Sequence, residues 1–347
     1  MISLGIRINL SRCITLFLQG FVVLCLIGGL LDLLYPPISF VKHWLIRNIP
    51  PPQVIAEPGS LQDIIKMQAM PYRYLPSLGR VLTAYEAPGV HIDAYGMRSN
   101  GGEPPVSPRT TGYLLGSSQA FGYNIRDDQT LSAHLERILQ FTRIQNYSGL
   151  NKSLPETVMR WHELSQQKEK PDFVLIADGM VTLARDCFLQ QDESEETRTT
   201  IFQYLYGIFR TKNGHISLHC QTENGRNQAV NHALYEVQAT IEYGRRQKIP
   251  FLLVVTPNPW IAGQNLSNLD NSAISPQHRQ MMEAVYRSFF EQLNSLGYPE
   301  VLDLSKILPD EQPYFLDKGA HLSGNGNKIL ASSIAAALKT LVGKLPG

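Results

Sequence analysis

A serine at the end of an apolar run, and an imidazole with a carboxylate near the far end of the chain, are the groups that could do chemistry here. The run Tyr113-Leu114-Leu115-Gly116 leads into Ser117-Ser118-Gln119-Ala120-Phe121-Gly122, and Thr130 and Leu131 open a helical pattern soon after. A serine lifted on a tight glycine turn between a strand and a helix is how a hydroxyl is offered as a nucleophile. The segment Asp317-Lys318-Gly319-Ala320-His321-Leu322-Ser323-Gly324-Asn325-Gly326-Asn327, just ahead of the last expected helix, supplies the imidazole and the carboxylate. Hydroxyl, imidazole and carboxylate fill the three roles of an acyl-transfer triad, and chain order is no obstacle because folding brings them together. Each has a plainer alternative. Ser118 could cap a helix, His321 could pack against the last helix, and Asp317 could face water in a loop.

These segments resemble the SGNH, or GDSL-type, hydrolase superfamily, and more closely its membrane-anchored bacterial branch, whose first block reads Gly-x-Ser-x-x-x-Gly. The likeness covers roughly residues 90 to 340. It takes in the approach Ala94-Tyr95-Gly96-Met97-Arg98, the Asp128-Gln129-Thr130 after the first block, and the block Pro171-Asp172-Phe173-Val174-Leu175-Ile176-Ala177-Asp178-Gly179. The resemblance implies Ser118 as nucleophile, His321 as general base and Asp317 as orienting carboxylate. It also implies an oxyanion hole built in part from the main-chain N–H groups of Ser118 and Gly149, and no cofactor.

The chain departs from the family at two places. Where the branch continues Asp-Gly-x-Asn-Asp, this chain reads Asp178-Gly179-Met180-Val181-Thr182, so an asparagine aimed at the oxyanion gives way to Val181. Losing one such donor costs on the order of 100-fold to 1000-fold in turnover. Asn146 and Asn151, in the block Asn146-Tyr147-Ser148-Gly149-Leu150-Asn151, are candidate substitutes. The family aspartate also stands three residues before the histidine, whereas Asp317 stands four before His321 and Lys318 fills the expected place. Ser117 sits where the best-known members carry Asp and leaves Ser118 in register.

With 347 residues, 43% apolar and 18% charged, the chain can bury a sizeable core. A formal net charge of +1 and the lack of a basic cluster with interleaved aromatics argue against nucleic acid as a partner. Residues 13 to 31 carry no charge, and their length suits a helix across the hydrocarbon layer. Arg7 and Arg12 precede the span and favour a cytoplasmic amino terminus, with Lys42 and Arg47 reducing the contrast. A cleaved signal peptide is the rival, but no small-x-small pattern precedes Tyr35-Pro36-Pro37. A buried core helix suits the run less well, because Gly20, Gly28 and Gly29 and the absence of a polar face fit lipid better. The expectation is an uncleaved anchor over residues 1–34 in a bacterial inner membrane, with the remaining chain extracytoplasmic. Pro36-Pro37, Pro50-Pro51-Pro52 and Pro58-Gly59 stiffen a linker within a lead-in over 35–89, where Trp44 near Lys42 and Arg47 suits the membrane interface.

Over 90–347 the expected fold is α/β, a flavodoxin-like three-layer sandwich with a central parallel sheet, because strand and helix patterns alternate. Strands are expected at 112–116, 143–147, 172–177, 250–256 and 300–304. Helices are expected near 128–141, 154–168, 197–210, 225–247, 276–296 and 325–342. Ligands of such sheets settle at the carboxyl ends of the strands, where Ser118, Gly149 and the Asp178-Gly179 turn would lie. Residues 184–224, with the acidic tract Asp192-Glu193-Ser194-Glu195-Glu196, read as a solvated insertion, with a lid over the site as the alternative. Cys187 and Cys220 flank that insertion and could pair in an oxidising compartment. His215 and His219 with Cys220 lack the glutamate of a zinc protease pattern, and no metal site is expected.

The expected function is a membrane-anchored serine esterase or acyl transferase acting on a cell-envelope glycan or another ester. An impaired relative that binds glycan and a structural partner for membrane proteins are the other classes.

Overall fold

The computed structural model describes residues 70–75, 79–103, 105, 108–167, 170–189, 219–269, 276–317 and 320–342. The expected membrane span over 13–31, the linker over 35–60, the helix over 197–210, the acidic tract and His215 lie outside the described residues. Among the described residues no helix is long and apolar enough to cross a membrane. All of them fall in one of the two units into which the chain divides, 51–191 with 217–347; the other, 1–50 with 192–216, lies wholly outside them.

Two short antiparallel hairpins come first. They are β1 (Tyr72–Leu75) with β2 (Gly79–Leu82), and β3 (Tyr85–Ala87) with β4 (Val90–Ile92). Residues 72–89 read as lead-in from the sequence, yet Leu82 and Val90 are buried in a cluster with Met70, Ile92 and Phe121.

The central sheet is parallel, with strand order β6-β5-β7-β8-β9. Its strands are β5 (Thr110–Gly116), β6 (Thr142–Asn146), β7 (Phe173–Asp178), β8 (Phe251–Val255) and β9 (Val301–Asp303). All five lie within about a residue or two of the positions the apolar runs predict. In a parallel sheet both faces are covered, so the strands read as continuous apolar runs, and successive side chains feed opposite cores. Tyr113 and Leu115, Val174 and Ile176, and Leu253 and Val255 enter one core. Leu114, Leu175, Leu252 and Val254 enter the other.

The helices are α1 (Ser118–Phe121), α2 (Leu131–Ile138), α3 (Leu154–Gln167), α4 (Val181–Leu189), α5 (Glu223–Gln247), α6 (Pro276–Leu296) and α7 (Gly324–Val342). α3 to α6 contribute to the first core and α2 with α7 to the second. The result is a three-layer α/β sandwich. α2 is shorter than the expected 128–141, because Asp127–Gln129 form a separate 3-10 turn and Thr130 caps the helix by accepting from Ala133 N at 3.2 Å.

The segment 184–224 is described only at its two ends, 184–189 and 219–224. Ala184 and Cys187 on α4, and Cys220 ahead of α5, are buried in the first core. Cys187 and Cys220 form a disulfide with Cα atoms 4.9 Å apart. Cys220 is therefore unavailable as a metal thiolate.

The order β6-β5-β7 reverses direction at β5, so the crevice between the carboxyl ends of β5 and β7 is the switch point where such folds place ligands. Gly116 ends β5 there. A Cβ at Gly116 would lie 2.1 Å from the Ala177 carbonyl oxygen of β7, and its φ of 148° suits glycine.

Arg98 ties the hairpins to this edge. Its main-chain N–H donates to Asn146 O at 2.9 Å, and it bridges Ile92 of β4 as well. Its fully buried guanidinium donates to Asp127 Oδ1 at 3.0 Å, to the carbonyls of Phe121 and Gly122 at the end of α1, and to Ile125 O at 2.6 Å. The Asp127 carboxylate also accepts from His91 N at 3.0 Å. Burial raises the Asp127 carboxyl above its ordinary pKa, and Arg98 opposes that shift.

Two stability outcomes follow from this framework. Reduction, or Cys187→Ala with Cys220→Ala, opens a cross-link across a separation of 33 residues and should lower unfolding free energy by about 3 kcal/mol; a reductant-insensitive melt would contradict it. Arg98→Met takes the guanidinium from the buried Asp127 carboxylate, leaving it the His91 contacts, and should cost ~3–5 kcal/mol in urea unfolding, with part recovered in Arg98→Met/Asp127→Leu. A loss below about 1 kcal/mol would contradict the buried-pair account.

Candidate active site

Ser118 is the first residue of α1, immediately after the Gly116-Ser117 exit from β5. The sequence needs a sharp turn at this point, and Gly116 supplies it while letting the chain pass against β7. The first N–H groups of a helix have no upstream intrahelical carbonyl, so the Ser118 amide has no partner within α1.

His321 arrives from a pinch between β9 and α7. Leu316 N donates to His321 O at 2.8 Å and Ser323 N donates to Tyr314 O at 2.8 Å, with Phe315 and Leu322 bridged between them. Ser323 then accepts from Gly326 N at 3.2 Å, so the same residue closes the pinch and starts α7. Ala320, just before the histidine, has φ of 69°, a left-handed conformation that is uncommon for a residue with a side chain.

Ser118 and His321, separated by 203 residues, meet at this edge of the sheet. His321 Nε2 lies 2.8 Å from Ser118 Oγ. On the other side of the ring, His321 Nδ1 lies 2.8 Å and 2.7 Å from the two carboxylate oxygens of Asp317. A spacing of four residues instead of three therefore still allows the contact, because the pinch folds Asp317 back onto the imidazole. In the neutral ring the carboxylate fixes the proton on Nδ1 and leaves the Nε2 lone pair toward the serine hydroxyl. The imidazole is largely buried, with 12% of its side chain exposed, while Asp317 keeps 37%. Ser118 is half-buried and so reachable from outside.

The Tyr123 ring lies 4.7 Å from the His321 ring and walls it on one side. Burial, with the nearby Asp317 charge and Tyr72 adding, raises the Tyr123 phenol above its ordinary pKa, so it stays neutral at physiological pH. This aromatic wall was not identified from the sequence, since a lone tyrosine after a glycine carries no distinguishing pattern.

The expected oxyanion donors fare differently. The Gly149 N–H donates to Gly116 O at 3.0 Å and so joins the β6 exit to the β5 exit. The Asn146 side chain is engaged as well. Its side-chain amide donates to Ala120 O and Ser132 Oγ, each at 3.1 Å, and its oxygen accepts from Ser148 N at 3.1 Å. That is a brace between β6, α1 and α2, with no donor left for a substrate. Asn151 is exposed in a left-handed turn with φ of 53°. Val181 opens α4 and carries no side-chain donor. The Ser118 amide is thus the remaining member of the expected set.

The Asp178-Gly179-Met180 turn is held from below. Asn258 Nδ2 donates to Gly179 O and to Tyr286 Oη, both at 2.8 Å, and the Tyr286 hydroxyl donates to Met180 O at 2.9 Å. Asn258 and Tyr286 are buried scaffolding that no short motif marks in the sequence.

No protein-family model matches the chain, and no curated protein matches it. Among solved structures it is similar to a member of the lipolytic protein G-D-S-L family from Veillonella parvula DSM 2008. That match has 12% identity and a TM-score of 0.41, covering 67% of this chain and 98% of that one. It is also similar to a psychrotrophic esterase from Pseudoalteromonas sp., with 11% identity and a TM-score of 0.36 over 68% of this chain and 100% of that one. An acetylxylan esterase from Geobacillus stearothermophilus matches at 14% identity and a TM-score of 0.36, over 67% of this chain and 95% of that one. What the site can do is accordingly derived from its own atoms.

Proposed function

We propose that the chain is a membrane-anchored serine esterase or O-acyl transferase of the SGNH type. The single observation that carries this reading is the imidazole held between Asp317 and the Ser118 hydroxyl, at 2.7 Å and 2.8 Å. Ser118 Oγ attacks an ester carbonyl while His321 Nε2 takes its proton, and the Ser118 N–H donates to the developing oxyanion. The carbon–oxygen bond of the ester then breaks, and His321 returns the proton to the departing alcohol. In the second step His321 deprotonates water or a sugar hydroxyl, which attacks the acyl-serine and releases Ser118 with its proton. Asp317 orients the ring and stabilises the imidazolium that forms.

The proposed setting is the outer side of a bacterial inner membrane. Support comes from the uncharged run over residues 13–31 and from the Cys187–Cys220 disulfide, a bond that persists in oxidising compartments. A site facing the envelope suits an acylated polysaccharide or lipid-linked glycan as substrate. A second reading, glycan binding with little turnover, is favoured by the engaged Gly149 amide and by Val181.

A fluorophosphonate probe should label the full-length protein at Ser118, and the label should vanish in Ser118→Ala and fall by on the order of 1000-fold or more in His321→Ala. Val181→Asn should raise turnover of a small acetyl ester by on the order of 10-fold or more. A folded protein that takes no label would favour the binder. A periplasm-dependent reporter fused after Gly347 should be active; an inactive one would reverse the orientation.

A further inference from the structure

We propose that Gln119, the residue after the nucleophile, is a positioning residue that clamps the His321 loop to the nucleophile turn; this rests on the esterase reading above. Gln119 is 3% exposed. Its Nε2 donates to Ala320 O at 2.7 Å and to Pro257 O at 2.8 Å, and its Oε1 accepts from the Thr256 hydroxyl. One side chain therefore joins the β5 exit, the β8 exit and the segment that carries the imidazole.

The amide can sit only one way round. Both of its hydrogens face carbonyl oxygens and its oxygen faces a hydroxyl, so a flip would set three oxygens against one another. The space for it comes from Gly179, where a Cβ would lie 3.2 Å from Gln119 Oε1 and 3.4 Å from Thr256 Oγ1. Ala320, whose carbonyl takes the shorter of the two bonds, is the residue with the left-handed φ next to His321. Holding that carbonyl fixes the peptide that sets the direction of the imidazole.

Two bonds thus connect the same two segments: Ser118 to His321, and Gln119 to Ala320. The first must give way during catalysis, because Ser118 Oγ becomes an ester oxygen in the acyl-enzyme and has no proton to donate. The second involves no reacting atom. It keeps His321 over the acyl-serine while the ring activates the second nucleophile, which is the stage at which an untethered loop would drift.

The test combines hydrogen exchange with labelling kinetics on the full-length chain. Gln119→Met should speed amide exchange in peptides over 314–323 and leave those of β5 and β7 at wild-type rates. Its fluorophosphonate labelling at Ser118 should slow by on the order of 10-fold to 100-fold, the scale of a displacement near 1 Å at a reacting centre. Gln119→Glu carries the test if the methionine variant does not fold. Its ionised carboxylate would repel both carbonyls, whereas its protonated form regains one donor. Its labelling rate relative to wild type should therefore rise as pH falls from about 8 to about 5.5, the window over which a buried glutamate gains its proton. Unchanged exchange over 314–323, a labelling rate equal to wild type despite faster exchange, or a pH-independent Gln119→Glu deficit would each overturn the clamp. A wild-type protein that takes no label overturns the esterase reading instead, and the exchange data then decide whether the clamp exists.

Discussion

An imidazole can accept a proton from serine only if the two side chains stay in hydrogen-bond contact, and here they are 203 residues apart in the chain. The 2.8 Å separation of His321 Nε2 and Ser118 Oγ is the sum of several local placements. β5 must stop at Gly116 so that Ser118 rises at the switch point of the sheet. The chain after β9 must fold back through the Phe315 and Leu322 bridge so that His321 returns over that same edge. The Asp317 carboxylate then selects the useful tautomer. Loss of any one placement leaves the three side chains without the contact that proton transfer needs.

Several buried polar side chains around this contact are hydrogen-bonded, while Ser117 Oγ, next to the nucleophile, is buried without a partner. Arg98 gives its guanidinium to Asp127 and to carbonyls at the end of α1, holding the helix that starts with the nucleophile. Asn146 braces the same helix from β6. Asn258 and Tyr286 hold the turn after β7. Buried polar groups with all partners present fix one arrangement, because any shift leaves a donor or acceptor unmatched in a low-dielectric interior. That rigidity is what a preorganised site requires.

Legibility in the sequence followed the range of the interactions. The five sheet strands and most of the long helices were readable, since an apolar run or a helical period is local. Ser118, Asp317 and His321 were readable as residues because each sits in a short distinctive segment. Their partners were not. The engagement of Gly149 with Gly116 is a main-chain bond between two strand exits, which no side-chain pattern records. Asn146 looked like a spare donor because its three partners lie on α1, α2 and its own loop. The hairpins over 72–92 were hidden by their brevity, and α4 by the acidic tract that follows it. Arg98 and Gln119 carry polar side chains that sequence reading assigns to the surface by default. Their burial follows only from the tertiary arrangement.

The central claim is that Ser118 becomes covalently acylated through His321. The most direct measurement is peptide mass spectrometry of the full-length protein, quenched in acid within seconds of mixing with a small activated acetyl ester. The account predicts one acetyl group on the peptide carrying Ser118, absent in Ser118→Ala and strongly reduced in His321→Ala. Ester cleavage with no acetyl on that peptide at any quench time, or acetylation that persists unchanged in His321→Ala, would contradict it.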